Sequence, residues 1–320
     1  MRRLLFVVVL LVAVCVGSFA VPAAGAGSPK VPACSRVAHV GDSTSAYMVP
    51  ALQKAYAAAG FASSSVSAFG GRSLVEFLSS DPVKRATVPV LVRAADGSVA
   101  VEQKSLSGGR LAMWQLRKAG FRGCWVVALG TNDAANIAVG SSWGVVERVA
   151  AVMELAQGEP VLWVSAYSRK SSGPWSAANL RAWNAALRVE AKKYPNLTVF
   201  DWAAFAGVSN GWLQPDLLHY NAVGSDARAV LVAEAASRLW LGRKGCVVGV
   251  AVSVSSAPGP VGCVERRLAL FGWLSWSVAL DQKFDSSSAG AVKYLQAVAG
   301  LPVSGVADLV TLARLGIPKV

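Results

Sequence analysis

Arg36-Val37-Ala38-His39-Val40-Gly41-Asp42-Ser43-Thr44-Ser45 is the stretch on which the fold turns. An apolar run with no polar face ends at a glycine, and a short polar cluster opens an amphipathic stretch over 46–59. Similar runs recur at Ser65–Phe69, Trp125–Leu129, Val161–Ser165 and Leu197–Phe200. Strands so dense in Val, Leu, Phe and Trp suit a parallel sheet buried on both faces. Between them lie helical patterns at 111–119, 143–156, 177–193 and 222–240. The alternation predicts a doubly wound α/β domain, a five-stranded parallel sheet whose right-handed crossovers place helices on both faces. Residues 81–109 break the rhythm. Asp96-Gly97 between Val-rich flanks predicts an inserted hairpin or loop, either covering the strand ends or lying apart from them.

The chain has two histidines. His39 lies inside the first strand, where a packed core residue is expected. His219 lies in Pro215-Asp216-Leu217-Leu218-His219, between the last strand and a helix, where open α/β sheets place their ligands. Asp216, three residues ahead, can reach back to the imidazole and fix its tautomer, or simply cap the helix. Ser43 sits at a helix start, whose unpaired N–H groups favour developing negative charge, and Gly41 is expected to permit a sharp turn. Two more loops follow strands: Gly70-Gly71-Arg72-Ser73 and Gly130-Thr131-Asn132-Asp133. A glycine N–H and an asparagine amide there are candidate oxyanion donors. Asp42, Asp133 and Asp201 read as loop and cap residues. Trp143, Trp175, Trp202 and Trp212 are either groove-lining or core.

These ordered blocks resemble those of the SGNH (GDSL-type) hydrolases over residues 36–240. Gly41-Asp42-Ser43, Gly71, Gly130-Thr131-Asn132-Asp133 and Asp216-x-x-His219 stand in the family's order. The resemblance implies a flavodoxin-like fold and a serine esterase that uses no cofactor. In that scheme Ser43 is the nucleophile, His219 the base and Asp216 its orienting carboxylate. The oxyanion donors are the Ser43 N–H, the Gly71 N–H and the Asn132 amide. One departure is Leu217, where the family often has glycine.

The ends of the chain frame this domain. Met1-Arg2-Arg3, an apolar run from Leu4 to Val16 and Ala24-Gly25-Ala26 have the order of a secretory signal peptide, with cleavage expected after Ala26. That run is short of the roughly 20 residues needed to span a membrane, and no later segment is long enough. The mature protein is thus expected to lack a transmembrane span. Beyond that point lie Cys34, Cys124, Cys246 and Cys263. An even set in an exported chain suggests disulfides. Three pairings are possible. Cys34 precedes the first strand and Cys124 opens the third, while Cys246 and Cys263 bracket a Val/Ser/Gly/Pro segment, which favours Cys34–Cys124 and Cys246–Cys263. No spacing of these residues suits a metal.

Leu268, Asp281, Phe284, Ala291, Val292, Leu295, Gln296, Gly300, Leu301, Gly305, Thr311 and Leu315 have a spacing that resembles the small three-helix peptidoglycan-binding domain. Asp285 and Ala269 depart from its usual Gly and Gln. The expected organisation is a signal peptide (1–26), a hydrolase domain (34–241), a linker (242–263) and a helical wall-binding domain (264–318). Formal net charge is +13. Without an interleaved aromatic and basic module or zinc spacing, this favours an anionic cell wall over nucleic acid. The reading is a secreted, cell-wall-associated esterase acting on O-acyl groups. O-acyl transfer by the same residues and a non-catalytic wall-binding protein are its rivals.

Overall fold

The computed structural model describes residues 34–93, 96–208, 211–241, 248–279, 281–315 and 317. The expected signal peptide lies outside them, as does Cys246. In chain order the elements are β1 (Arg36–Gly41), α1 (Ser43–Ala46), α2 (Val49–Ala58), β2 (Ser63–Ala68), β3 (Ala86–Arg93), β4 (Val99–Leu106), α3 (Gly108–Lys118), β5 (Cys124–Ala128), α4 (Thr131–Ala138) and α5 (Val145–Ala156). They continue with β6 (Val161–Val164), α6 (Ala177–Ala191), β7 (Leu197–Phe200), α7 (Trp202–Val208), α8 (Ala222–Trp240), α9 (Pro258–Leu270), α10 (Trp276–Ala279), α11 (Ser286–Val298) and α12 (Leu309–Arg314).

Five strands form one parallel sheet in the order β2-β1-β5-β6-β7. The order reverses at β1, so the loops leaving β1, β2 and β5 open beside one another. Successive side chains along each strand enter opposite cores, as the period of two requires. Ala38, Val40, Trp125, Val127, Val161 and Trp163 face one apolar cluster with α3, α5 and α6. Val37, Val126, Leu162 and Val164 face the other with α2, α7 and α8. The fold is the doubly wound one expected.

Residues 81–109 do contain a hairpin, β3 paired antiparallel with β4. It does not roof the strand ends. Val88, Val90 and Leu106 are buried in the first core, while Leu91, Val99 and Val101 face solvent. The hairpin therefore extends a core wall, and Lys104 Nζ pairs with Glu154 of α5 at 2.6 Å.

Cys34 and Cys124 are disulfide-bonded, with Cα atoms 5.8 Å apart. The register explains it: Val37 pairs with Cys124, so the chain just before β1 runs beside the start of β5. Cys263 is buried and disulfide-bonded; its expected partner is Cys246.

The C-terminal segment is helical. Two longer helices, α9 and α11, and two short ones, α10 and α12, enclose their own apolar cluster around Val264, Leu268, Val292, Leu295 and Leu312. Helix α9 starts at Pro258, within the stretch expected to be linker. The unit is not free of the sheet domain. Ala269 and Ala279 join the core that contains Trp240, and Arg266 Nε pairs with Glu234 of α8 at 2.5 Å. Asp285, the departure after Phe284, caps α11 by accepting from the Ser287 and Ser288 N–H groups. Gln296, fully buried, donates to the Val306 carbonyl and the Thr311 hydroxyl and accepts from the Ser304 and Gly305 N–H groups. It thereby pins the turn between α11 and α12.

His39 is the packed core histidine expected. Its ring lies 2.9 Å from the Tyr56 hydroxyl and 3.1 Å from Ser45 Oγ. Burial, with Arg228 adding, pushes its pKa down to about 3. An unfolded histidine titrates near 6.5, so between these values the unfolded chain holds the extra proton. The stability owed to neutral His39 is complete above about pH 6.5 and is lost as pH falls toward 3, at up to about 1.4 kcal/mol per pH unit. Urea unfolding at pH 7, 6 and 5 should show this slope, and His39→Gln should flatten it. Equal slopes would contradict the assignment.

Candidate active site

The structure brings Ser43, His219 and Asp216 together. Ser43 is the first residue of α1, and Asp42 caps that helix by accepting from the Thr44 N–H at 2.8 Å and the Thr44 hydroxyl at 2.7 Å. Asp42 is wholly buried, so its role is to hold the turn. Gly41 is needed for another reason than the turn expected of it. Its backbone is not left-handed, but an added Cβ would lie 2.6 Å from the Ser45 side chain. Close approach, not a sharp turn, requires glycine there.

Ser43 Oγ lies 2.9 Å from His219 Nε2, across 176 residues of chain. On the other side of the ring, His219 Nδ1–H donates to Asp216 Oδ2 at 2.5 Å. Asp216 Oδ1 accepts from the Leu218 and His219 N–H groups, both at 3.0 Å. Burial works against the Asp216 charge, but the hydrogen bonds from the His219 ring and from these two amides outweigh it and hold the carboxyl down to about 2. Asp216 thus orients the ring and folds its own loop; it does not cap the following helix, whose N-cap is Asn221. Leu217 adopts φ 60°, in the left-handed region. The departure from glycine puts a half-exposed leucine in a backbone region that glycine favours, at a strain of order 1 kcal/mol.

The other two loops arrive at the same rim. The Phe69 N–H donates to the Gly41 carbonyl at 3.2 Å, joining the ends of β2 and β1. Gly71 has φ +76°, and an added Cβ would press on Leu78. Asn132 is buried. Its Nδ2 donates one hydrogen to the Arg72 carbonyl at 3.0 Å, and its Oδ1 accepts from Trp175 Nε1–H at 3.0 Å. One Nδ2 hydrogen is left over. Asp133 accepts from the Leu74 N–H at 2.9 Å and from Arg148 at 2.5 Å. Burial raises its carboxyl to about 7 against the pull of Arg148. It is a buried tie between the two loops. Asp201 accepts from Ser165 and pairs with Arg188.

Three supports were not legible in the sequence. Arg72 and Asp81 form a buried two-pronged ion pair, Nε–Oδ2 at 2.7 Å and Nη2–Oδ1 at 2.8 Å, which braces the Gly71 loop. Arg228 of α8 is buried beneath the Ser43 turn and donates to the Thr44 carbonyl at 2.9 Å and to Ser45 Oγ at 3.0 Å. The loop between β6 and α6 touches both halves of the site. Trp175 holds Asn132, while the Arg169 N–H donates to the Leu217 carbonyl and Lys170 Nζ to the Asp216 carbonyl. Of the four tryptophans singled out, Trp202 and Trp212 are core, stacked 5.6 Å apart. Trp143 and Trp175 face solvent in part, Trp143 beneath the Arg110 guanidinium.

Comparison with known proteins adds three findings. A family model described as "Putative peptidoglycan binding domain" matches residues 259–315. No curated protein matches the chain. Solved structures similar to it include the C-terminal catalytic domain of peptidoglycan O-acetyltransferase A from Streptococcus pneumoniae, at 17% identity and a TM-score of 0.43, over 66% of this chain and 94% of that one. A lipase/acylhydrolase from Enterococcus faecalis matches at 17% identity and a TM-score of 0.43, over 63% and 95%. A carbohydrate acetylesterase family member from Sinorhizobium meliloti matches at 18% identity and a TM-score of 0.45, over 65% and 99%.

Proposed function

We propose that the chain is an exported serine esterase that removes O-acyl groups from cell-wall glycan. The observation that carries the chemistry is the Ser43–His219–Asp216 relay, 2.9 and 2.5 Å between successive groups. His219 takes the proton of Ser43 Oγ as the oxygen attacks the ester carbonyl. Asp216, ionised at any pH above about 3, stabilises the imidazolium that results. The carbonyl oxygen becomes an oxyanion, received by the Ser43 N–H, the Gly71 N–H and the remaining Asn132 hydrogen. His219 then returns its proton to the leaving alcohol, and water releases the acyl group. Exposed apolar side chains on these loops, Tyr47, Trp175 and Leu217, suit a substrate with an apolar or sugar face.

The substrate and the location rest on the C-terminal unit. Its match to a peptidoglycan-binding family, the Cys34–Cys124 bridge and the net positive charge all support an extracellular, wall-associated protein. No helix among the described residues is long and apolar enough to cross a membrane.

The decisive experiment is hydrolysis of p-nitrophenyl acetate by the purified protein, Ser43→Ala and His219→Ala. Equal rates from all three would sink the serine-esterase reading. Adding a sugar acceptor and following acyl-sugar formation separates transfer from hydrolysis. The oxyanion assignment makes a graded prediction. Asn132→Ala should lower kcat by about 10²–10³-fold with little change in KM. Trp175→Phe keeps the ring but loses the N–H that orients Asn132, and should cost kcat about 2–10-fold, the worth of one hydrogen bond. Steady-state kinetics of both variants checks the order.

A further inference from the structure

The turn between α9 and α10 and the outer face of α11 hold three aromatic rings in contact. Phe271 and Trp273 are stacked, with centroids 4.9 Å apart and planes 23° from parallel. Trp273 meets Tyr294 edge to face at 5.9 Å. The outer two rings are open to water, Phe271 at 52% and Tyr294 at 55% of their surface. Trp273 is different: it packs against the apolar cluster of the C-terminal unit. Gly272, with φ +75°, sets the turn, and the Trp273 N–H donates to the Leu268 carbonyl at 3.0 Å, ending α9. The ridge is therefore rigid, anchored at its middle ring and exposed at both ends.

Folding does not account for it. Two large rings kept in water forgo the gain of burial, and contiguous exposed apolar patches mark interaction sites. Aromatic faces carry a negative quadrupole, which attracts the slightly positive C–H hydrogens on the flat face of a pyranose. Rigid rings pay little conformational entropy on contact. The trio itself carries no charge to select an anionic polymer or a peptide carboxylate. All three residues fall within the segment that matches the peptidoglycan-binding family.

We infer that the Phe271–Trp273–Tyr294 ridge is the wall-contact surface of the C-terminal unit, and that its ligand is the N-acetylhexosamine glycan strand, not the stem peptide. This rests on the proposed wall binding and specifies where and to what chemistry it occurs.

The test uses the full chain and pull-down with two probes: insoluble intact peptidoglycan, and the glycan strands that an amidase frees from their peptides, immobilised on beads because loss of the cross-links makes them soluble. Wild type should bind both. Phe271→Ala/Tyr294→Ala should weaken both by about tenfold or more, while p-nitrophenyl acetate hydrolysis stays at the wild-type rate. Tyr294→Ala alone, on an exposed helix face where alanine is well tolerated, supplies a second variant should the double one lose its fold. Unchanged binding by a folded variant overturns the ridge while leaving wall binding in place. Binding to intact wall but not to the stripped glycan overturns the ligand. A variant that keeps wall binding but loses self-association, followed by sedimentation velocity, likewise overturns the ridge as the wall contact and makes it a contact between copies of the chain. Wild type that ignores both probes overturns the wall-binding reading as well, and the esterase assay is untouched by that outcome.

Discussion

Ser43→Ala and His219→Ala are each expected to lose about 10⁶-fold in kcat on an activated ester, and the double variant to lose no more than either alone. In the proposed mechanism nucleophile and base act as one unit, because Ser43 Oγ attacks only as His219 Nε2 removes its proton. Once one is gone the other has nothing to do, so the losses do not add. No second base can step in. The only other histidine, His39, is fully buried, is engaged with Tyr56 and Ser45, and stays neutral down to about pH 3. Asp216→Asn should cost less, up to about 10⁴-fold, since the Asp216 side chain is 41% exposed and water can partly replace it. Single-turnover kinetics would resolve these residues of activity. Additive losses in the double variant would mean that the two side chains serve separate steps.

The second large effect concerns stability. Asp81→Ala should destabilise the protein by about 3–5 kcal/mol, because it leaves the Arg72 guanidinium buried without its carboxylate. The side chains of Arg72 and Asp81 are 2% and 1% exposed, so water cannot compensate. Replacing both partners by apolar residues, Arg72→Met/Asp81→Leu, should cost less than the single change, since no uncompensated charge remains. The loss should also reach the chemistry. Arg72 follows Gly71 directly, and its carbonyl holds the Asn132 amide. A folded Asp81→Ala protein should therefore show a lower kcat at unchanged Ser43–His219 geometry. Urea unfolding, read beside kcat at a temperature where the variant is fully folded, checks both parts. A double variant worse than the single would show that the pair's hydrogen bonds matter more than its charge.

Much of the site could be read from one dimension because its parts are local. Ser43, Gly71 and Asn132 each lie directly after a strand, and a parallel sheet carries all such positions to one edge; Asp216 and His219 follow α7 instead. Ser43, Gly71 and Asn132 are therefore neighbours as soon as β1, β2 and β5 are, and the apolar runs predict those strands. Asp216 and His219, three residues apart, need only a turn. The left-handed backbone at Leu217 was not legible, since leucine gives no hint of it. Gly41 was read for the wrong property: it is small because Ser45 packs against it.

By itself, the sequence determined the alternation of strands and helices and the residues at each strand's end, and it favoured the pairing of Cys34 with Cys124 among three. These depend on hydrophobic period and on positions relative to the strands, both written along the chain. Only the tertiary structure decided what supports the site. Arg72 meets Asp81, Arg228 passes under the Ser43 turn and Trp175 reaches Asn132 because side chains distant in sequence share a buried space. The hairpin's place in the core wall, and the ridge of Phe271, Trp273 and Tyr294, are of the same kind. No periodicity encodes them, since a contact between loops is set by the packing of the whole sheet and its helices.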